Sequence, residues 1–268
     1  MDNKPIGVFD SGAGGLTVAK EIMELLPDED IVYLGDTARF PYGPRQSQEL
    51  KQFVFEIINF LTNEQVKIVV VACNSSAAAA LQSAQKHFDL PIIGVIEPGA
   101  RGAVLATRNR RIGVIGTQAT IDSQAYPKAI RAFDAGVQIF TRACLPFADL
   151  VERGQTEGEQ VKKEVQRNLE PLIAAQVDTL ILGCTHYPLL SKVIQEVMGQ
   201  EVVLISSARE IAEEVKETLG RKDILRSAQN TPVYRFFSTN SNHKFQELAK
   251  RFLGSEIKEV KSIVLSSN

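Results

Sequence analysis

The chain has no CxxC pair, no block of basic residues and no apolar run approaching the roughly 18 residues that a membrane-spanning helix requires. Each absence excludes a class of function. Its three cysteines, Cys73, Cys144 and Cys184, are an odd number and widely spaced, so neither a disulfide framework nor a zinc site is indicated and the thiols are expected to be reduced. With 30 basic against 32 acidic residues and a net charge of -2, nothing favours nonspecific binding to a phosphate backbone, and nucleic acid is not an expected partner. Met1 to Asp10 lacks a basic start followed by a long apolar stretch, which points to a cytoplasmic protein with no membrane partner. A dinucleotide fingerprint is incomplete, because in Gly12-Ala13-Gly14-Gly15-Leu16-Thr17 threonine holds the third glycine position. Nor is there a second carboxylate two residues after Asp10, where a phosphatase-like aspartate motif would need one.

What is present is a set of short apolar runs: Ile6–Phe9, Ile31–Leu34, Ile68–Cys73, Ile92–Ile96, Ile112–Ile115, Thr179–Leu182 and Val202–Ile205. They alternate with longer amphipathic stretches, the pattern of parallel βα units. Between Gln48 and Glu64, Leu50, Phe53, Val54, Ile57, Ile58 and Leu61 recur at spacings of three and four and predict a helix covering the sheet. With 44% hydrophobic residues, a chain of 268 can bury one large core or two smaller ones.

A weak internal repeat decides between them. Pro5-Ile6-Gly7-Val8-Phe9-Asp10-Ser11 resembles Arg111-Ile112-Gly113-Val114-Ile115-Gly116-Thr117, and the strand leading to Cys73 resembles that leading to Cys184 at a similar offset. Two α/β halves follow, with a seam at Glu97-Pro98-Gly99. Ligands of such sheets bind beyond the carboxyl ends of the strands, where Asp10, Cys73, Thr117 and Cys184 all fall.

Cys73 ends an apolar strand and precedes Asn74-Ser75-Ser76 and an alanine-rich helix former, so its thiol should face a helix N-terminus, which lowers a thiol pKa. Cys184 repeats the arrangement with Thr185 as a cap, His186 two residues away, and Pro188 for a first helical turn. A buried cysteine is ordinarily a small core residue. Two in matched positions suit an acid/base pair, one on each face of a carbon atom, because a thiol is a base when ionised and an acid when protonated. Removing a proton from one face and returning it to the other is racemisation. A cationic His186 would favour the thiolate of Cys184, whereas an ionised Asp10 would disfavour that of Cys73. Cys144, before Leu145-Pro146-Phe147, has no polar cluster and reads as core.

The glycines after Asp10 expose backbone N–H groups that could hold a carboxylate. Asp36 through Pro41-Tyr42-Gly43 reads as a loop, in which an exposed Tyr42 could close over a small ligand through its hydroxyl.

Together, Gly7–Thr17, Gly35–Gly43, Ala72-Cys73-Asn74 and Gly183-Cys184-Thr185-His186-Tyr187-Pro188-Leu189-Leu190 resemble the glutamate racemases of the cofactor-independent aspartate/glutamate racemase superfamily, over nearly the whole chain. The resemblance implies a reversible interconversion of L- and D-glutamate without cofactor or metal, supplying D-glutamate for peptidoglycan, in a homodimer. It implies two pseudo-symmetric α/β domains with mostly parallel sheets, residues 1–97 completed by 208–268 and residues 98–207, with the active site in the cleft between them. Cys73 and Cys184 match the catalytic thiols, assisted by Asp10, His186 and Glu152. Substrate contacts would come from Asp10, Ser11, Tyr42, Gly43, Asn74, Ser75, Thr117, Thr120, Thr185 and His186. At position 75 the family usually carries threonine. A racemase acting on aspartate, an enzyme forming a covalent cysteine adduct and a catalytically silent binding protein are the alternatives; the second leaves one thiol unexplained, and retention of both thiols argues against the third.

Overall fold

A computed structural model of the chain describes residues 2–227, 231–240, 242–254, 257 and 259–265, with residues 242–244 as backbone only. Of the segment 208–268, residues 228–230, 241, 255, 256, 258 and 266–268 therefore lie outside the described residues.

The first half runs β1 (Ile6–Asp10), α1 (Leu16–Leu25), β2 (Ile31–Gly35), α2 (Ser47–Asn63), β3 (Ile68–Val71), α3 (Asn74–His87), β4 (Ile92–Gly94) and α4 (Ile96–Ala106). The second runs β5 (Arg111–Gly116), α5 (Gln118–Asp122), α6 (Ala125–Phe133), β6 (Gln138–Ala143), α7 (Leu145–Glu152), α8 (Glu159–Ala174) and β7 (Thr179–Gly183), then a 3-10 turn at Tyr187–Leu190, α9 (Ser191–Met198) and β8 (Val203–Ser206). α10 (Ser207–Arg221), β9 (Tyr234–Ser238), α11 (Asn242–Leu253) and β10 (Lys261–Ser262) follow.

Among the described residues every strand pairing is parallel. One sheet has the order β10-β9-β2-β1-β3-β4 and the other β6-β5-β7-β8. The block β2-β1-β3-β4 is therefore repeated as β6-β5-β7-β8, and the strands matched by the sequence repeat, β1 with β5 and β3 with β7, occupy equivalent places. β1 and β3 are fully buried, as are β5 beyond Arg111 and β7, because helices cover both faces of a parallel sheet. α2 buries Leu50, Phe53, Val54, Ile57, Ile58 and Leu61, the face its periodicity predicts.

In each block the chain leaves the central strand in opposite directions, β1 toward β2 and β3, β5 toward β6 and β7. The crevice that opens at the carboxyl ends of such strands is where α/β sheets bind ligands. Asp10 and Cys73 follow β1 and β3, and Thr117 and Cys184 follow β5 and β7. Glu97, Pro98 and Gly99 lie within the first turns of α4, which packs on both α6 and α10. β9 adds to the first sheet through β2, so the last part of the chain returns to the half where it began.

Candidate active site

A cavity of about 480 Å³ lies between the ends of the two sheets and is lined by Ser11, Tyr42, Gly43, Cys73, Asn74, Ser75, Thr117, Cys184, Thr185 and His186. All ten were singled out from sequence. Asp10, Glu152 and Thr120 stand one contact behind the wall: Asp10 Oδ1 accepts from Thr185 Oγ1 at 3.3 Å, Glu152 Oε1 is 3.0 Å from His186 Nε2, and Thr120 Oγ1 is 3.1 Å from Thr117 Oγ1. Among the described lining residues there is no lysine or arginine. Nor, among the described residues, is there a group of three or more His, Cys, Asp or Glu side chains that could hold a metal ion.

β3 ends at Val71, so Cys73 is the N-cap of α3 and Asn74, Ser75 and Ser76 already belong to the helix. Register places Phe9 beside Val71, with the Ala72 amide donating to the Phe9 carbonyl at 3.0 Å, which brings Asp10 beside the thiol. Helix position alone predicts a lowered thiol pKa, yet the Cys73 thiol is pushed up to about 12. Burial is the largest cause and the Asp10 carboxylate the next; together they outweigh hydrogen bonds from Ser76 and Ser11. Asp10, fully buried, is itself raised by desolvation against the opposing pull of His186 and of backbone amides at Gly15 and Gly12.

Cys184 has a different neighbour. Its Sγ is 3.9 Å from His186 Nδ1, and Glu152 at the end of α7 meets the opposite ring nitrogen, giving a Cys–His–Glu row. Burial works against a charged imidazole, but the contacts with Cys184 and Glu152 prevail and carry the His186 pKa up to about 10. The ring is 2% exposed and lies between Phe40 and Phe252, each 5.6 Å away between centroids. Gly14 makes this packing possible, since a Cβ there would stand 2.6 Å from Thr185 Oγ1 and 2.7 Å from His186 Nδ1. Thr185 does not cap a helix as its position suggests; its hydroxyl is committed to Asp10.

Tyr42 also departs from expectation. It is 1% exposed rather than open to solvent, and its hydroxyl donates to the buried Asp36, which also receives Arg39 Nε at 2.6 Å and Thr239 Oγ1 at 2.7 Å. What the loop offers a ligand is thus the tyrosine's backbone and ring rather than its hydroxyl. Ser75 Oγ is 2.8 Å from Thr117 Oγ1 and 3.4 Å from Thr120 Oγ1, a hydroxyl triangle joining α3 to the Thr117 cap of α5. Cys144 is fully buried in the core, as expected, and takes no part.

Sequence reasoning missed Phe40, Pro41, Pro44, Gln118, Leu145, Ala148, Asp149 and Tyr187 in the cavity wall. Gln118 follows a strand end and was reachable through the repeat. Leu145, Ala148 and Asp149 follow β6, an edge strand whose half-exposed sequence, Gln138-Ile139-Phe140-Thr141-Arg142-Ala143, gives no clear apolar run.

The family model described as Asp/Glu/Hydantoin racemase matches residues 6–215. The chain belongs to that racemase family. A glutamate racemase of Saccharopolyspora erythraea is 50% identical over 257 residues, which cover 96% of this chain and 94% of the relative. Among solved structures, a glutamate racemase of Bacillus anthracis matches this racemase-family chain with a TM-score of 0.94 at 45% identity, covering 99% of both. One of Francisella tularensis, in complex with D-glutamate, matches with a TM-score of 0.93 at 34% identity and covers 100% of both. The two-sheet α/β architecture is that of these racemases.

Proposed function

We propose that the chain is a glutamate racemase that interconverts L- and D-glutamate by a two-base reaction without cofactor, with Cys73 and Cys184 as the bases and D-glutamate for peptidoglycan as its product. The observation that carries this is the pair of thiols at the switch points of two matched parallel sheets, both lining one cavity. With L-glutamate bound, the Cys184 thiolate takes the α-proton, the electron pair stays on the α-carbon, and the Cys73 thiol delivers a proton to the opposite face and becomes the thiolate. The reverse reaction exchanges the roles. In this reading His186, held by Glu152, supplies a cation beside Cys184, and Asp10, behind the cavity wall, assists through the Thr185 hydroxyl that it holds.

A substrate with two carboxylates would ordinarily be met by arginine or lysine. Here the N-terminus of α3 at Asn74 and Ser75 and the hydroxyls of Ser11, Ser75 and Thr117 take that part. Backbone N–H groups and helix dipoles favour anions, and they stabilise negative charge developing on the α-carboxylate as the proton leaves. In this reading residues 1–97 with 208–268 form one domain and 98–207 the other, supported by which strands share a sheet. The homodimer and the cytoplasmic location belong to the same proposal; among the described residues no helix is long and apolar enough to cross a membrane.

Circular dichroism of D-glutamate incubated with purified protein, dialysed against chelator and free of pyridoxal phosphate, tests the proposal. Loss of optical activity is expected, faster with glutamate than with aspartate. Activity that requires added metal, or a preference for aspartate, would overturn it.

A further inference from the structure

Tyr126 is not among the residues that sequence motifs single out, and it does not line the cavity. It stands at the start of α6, 1% exposed, in a position that touches both thiol-bearing segments. Its hydroxyl donates to Asn74 Oδ1 at 2.7 Å, and Asn74 directly follows Cys73. Its ring packs on Gly183, which directly precedes Cys184: a Cβ there would come within 3.1 Å of the tyrosine Cε2 and 2.6 Å of the Ile115 carbonyl oxygen. A third element closes the group, with Ser207 Oγ of α10 at 3.1 Å from the tyrosine hydroxyl.

We infer that Tyr126 is a positioning residue of this site, fixing the Asn74 carboxamide and the separation of the two cysteine segments. This rests on the racemase reading given above. The argument turns on proton inventory. A tyrosine hydroxyl has one proton, and it is donated to Asn74, so the bond with Ser207 is one that the tyrosine accepts and Ser207 donates. With Oδ1 engaged, the Asn74 amide presents its NH2 as the free group, and Asn74 lines the cavity. A donor there suits a substrate carboxylate. Rotated by half a turn, the amide would instead set a carbonyl oxygen against that carboxylate. Tyr126, backed by Ser207, holds the productive orientation. Because one rigid ring spans from Asn74 to Gly183, it also fixes the gap between the two segments that carry the thiols.

Kinetics of Tyr126→Phe in both directions test this, since phenylalanine keeps the ring on Gly183 and removes only the hydroxyl. A hydrogen bond of about 0.5–1.5 kcal/mol predicts a KM for each enantiomer raised about two- to twelvefold, with kcat changed by less than about twofold, because the Asn74 contact is made in ground and transition state alike. In an Asn74→Ala background the same substitution should leave KM within about twofold, since its intermediary is gone. A general loss of packing would instead lower activity by the same factor in both backgrounds. Unchanged KM with reduced kcat, or a full effect without Asn74, would overturn the inference. Should Tyr126→Phe fail to fold, Ser207→Ala carries the test: KM should rise by less than about threefold, and only when Asn74 is present, whereas a wild-type KM would refute it. If the wild-type protein itself does not racemise glutamate, the functional reading fails instead, and the two failures are told apart by that control.

Discussion

The two cysteines occupy equivalent topological positions and unlike electrostatic ones. Cys73 sits beside the carboxylate of Asp10, and its thiol is pushed up to about 12; Cys184 sits beside an imidazole whose pKa is carried to about 10. Repetition of the βα block thus fixed where the thiols stand, and unrelated side chains set their charge. Cys73 is thus held protonated while Cys184 has a cation beside it, and the proposed reaction gives Cys73 the part of the acid and Cys184 that of the base when L-glutamate is bound. On that reading the two directions start from unlike charge arrangements. The difference cannot appear in kcat/KM, since the enantiomers have equal free energy in water and the two directions must give equal values. It has to be sought in kcat, in KM and in half-reactions.

Removing a thiol tests the comparison most severely. Cys73→Ala and Cys184→Ala should each lower racemisation by about 10²–10⁴-fold, because each direction needs both an acid and a base, and a positioned proton-transfer group contributes about that much. Serine should be nearly as damaging, as a hydroxyl cannot supply the base at neutral pH. Each single-thiol protein can still remove a proton on its own side, and so can eliminate a leaving group from a 3-substituted glutamate. Cys184→Ser should consume the D-isomer of such an analogue and Cys73→Ser the L-isomer, read by release of the leaving group. The same isomer preference in both would show that the thiols do not face opposite sides of the carbon.

His186→Gln should come next, at about 10²-fold in kcat, with Glu152→Gln costing roughly ten- to a hundredfold through loss of one charge-assisted hydrogen bond of about 1.5–3 kcal/mol. Both should slow elimination from the L-analogue in the Cys73→Ser background more than elimination from the D-analogue in Cys184→Ser. Equal slowing on both sides would erase the contrast between the halves.

Why the sequence showed these positions but not this contrast is a matter of range. A strand running into Cys-Asn-Ser or Cys-Thr-His is a local pattern, and β1, β3, β5 and β7 are buried on both faces, so their apolar runs are unbroken. β6, β9 and β10 are partly exposed and carry mixed residues, so period gave no sign of them. The rise at Cys73 comes from burial and from a carboxylate more than sixty residues away in sequence, which a helix-terminus argument cannot weigh. Tyr42 was misjudged for the same reason: Asp36 and Thr239, brought together by the pairing of β2 with β9, make a buried acceptor for its hydroxyl.

A third consequence concerns stability. Folding raises the His186 pKa from 6.5 to about 10, so the protonated ring is favoured in the folded state. That contribution is whole below pH 6.5 and is lost as pH climbs through about 10. The difference in Tm between the wild-type protein and His186→Gln should therefore shrink across that interval in thermal melts. A constant difference would mean that the folded ring is neutral, leaving Cys184 without its cation.

The smallest effect is expected at Ser75, where this chain departs from the usual threonine. Its hydroxyl, 3% exposed with the residue, reaches from α3 to Thr117 at 2.8 Å and to Thr120 at 3.4 Å, so it ties the Cys73 segment to the cap of α5 in the other half. Ser75→Thr keeps that oxygen and adds a methyl group on the cavity wall. Burying one such carbon against substrate is worth about 0.8 kcal/mol, which corresponds to a KM lowered by up to roughly fourfold, with kcat unchanged because no proton-transfer group moves. Ser75→Ala removes the tie instead and should raise KM in both directions. If Ser75→Thr changed kcat while Ser75→Ala did not, the methyl would be disturbing the placement of Cys73 two residues earlier, and the two halves of the site would be coupled through packing at α3 rather than through the hydroxyl triangle.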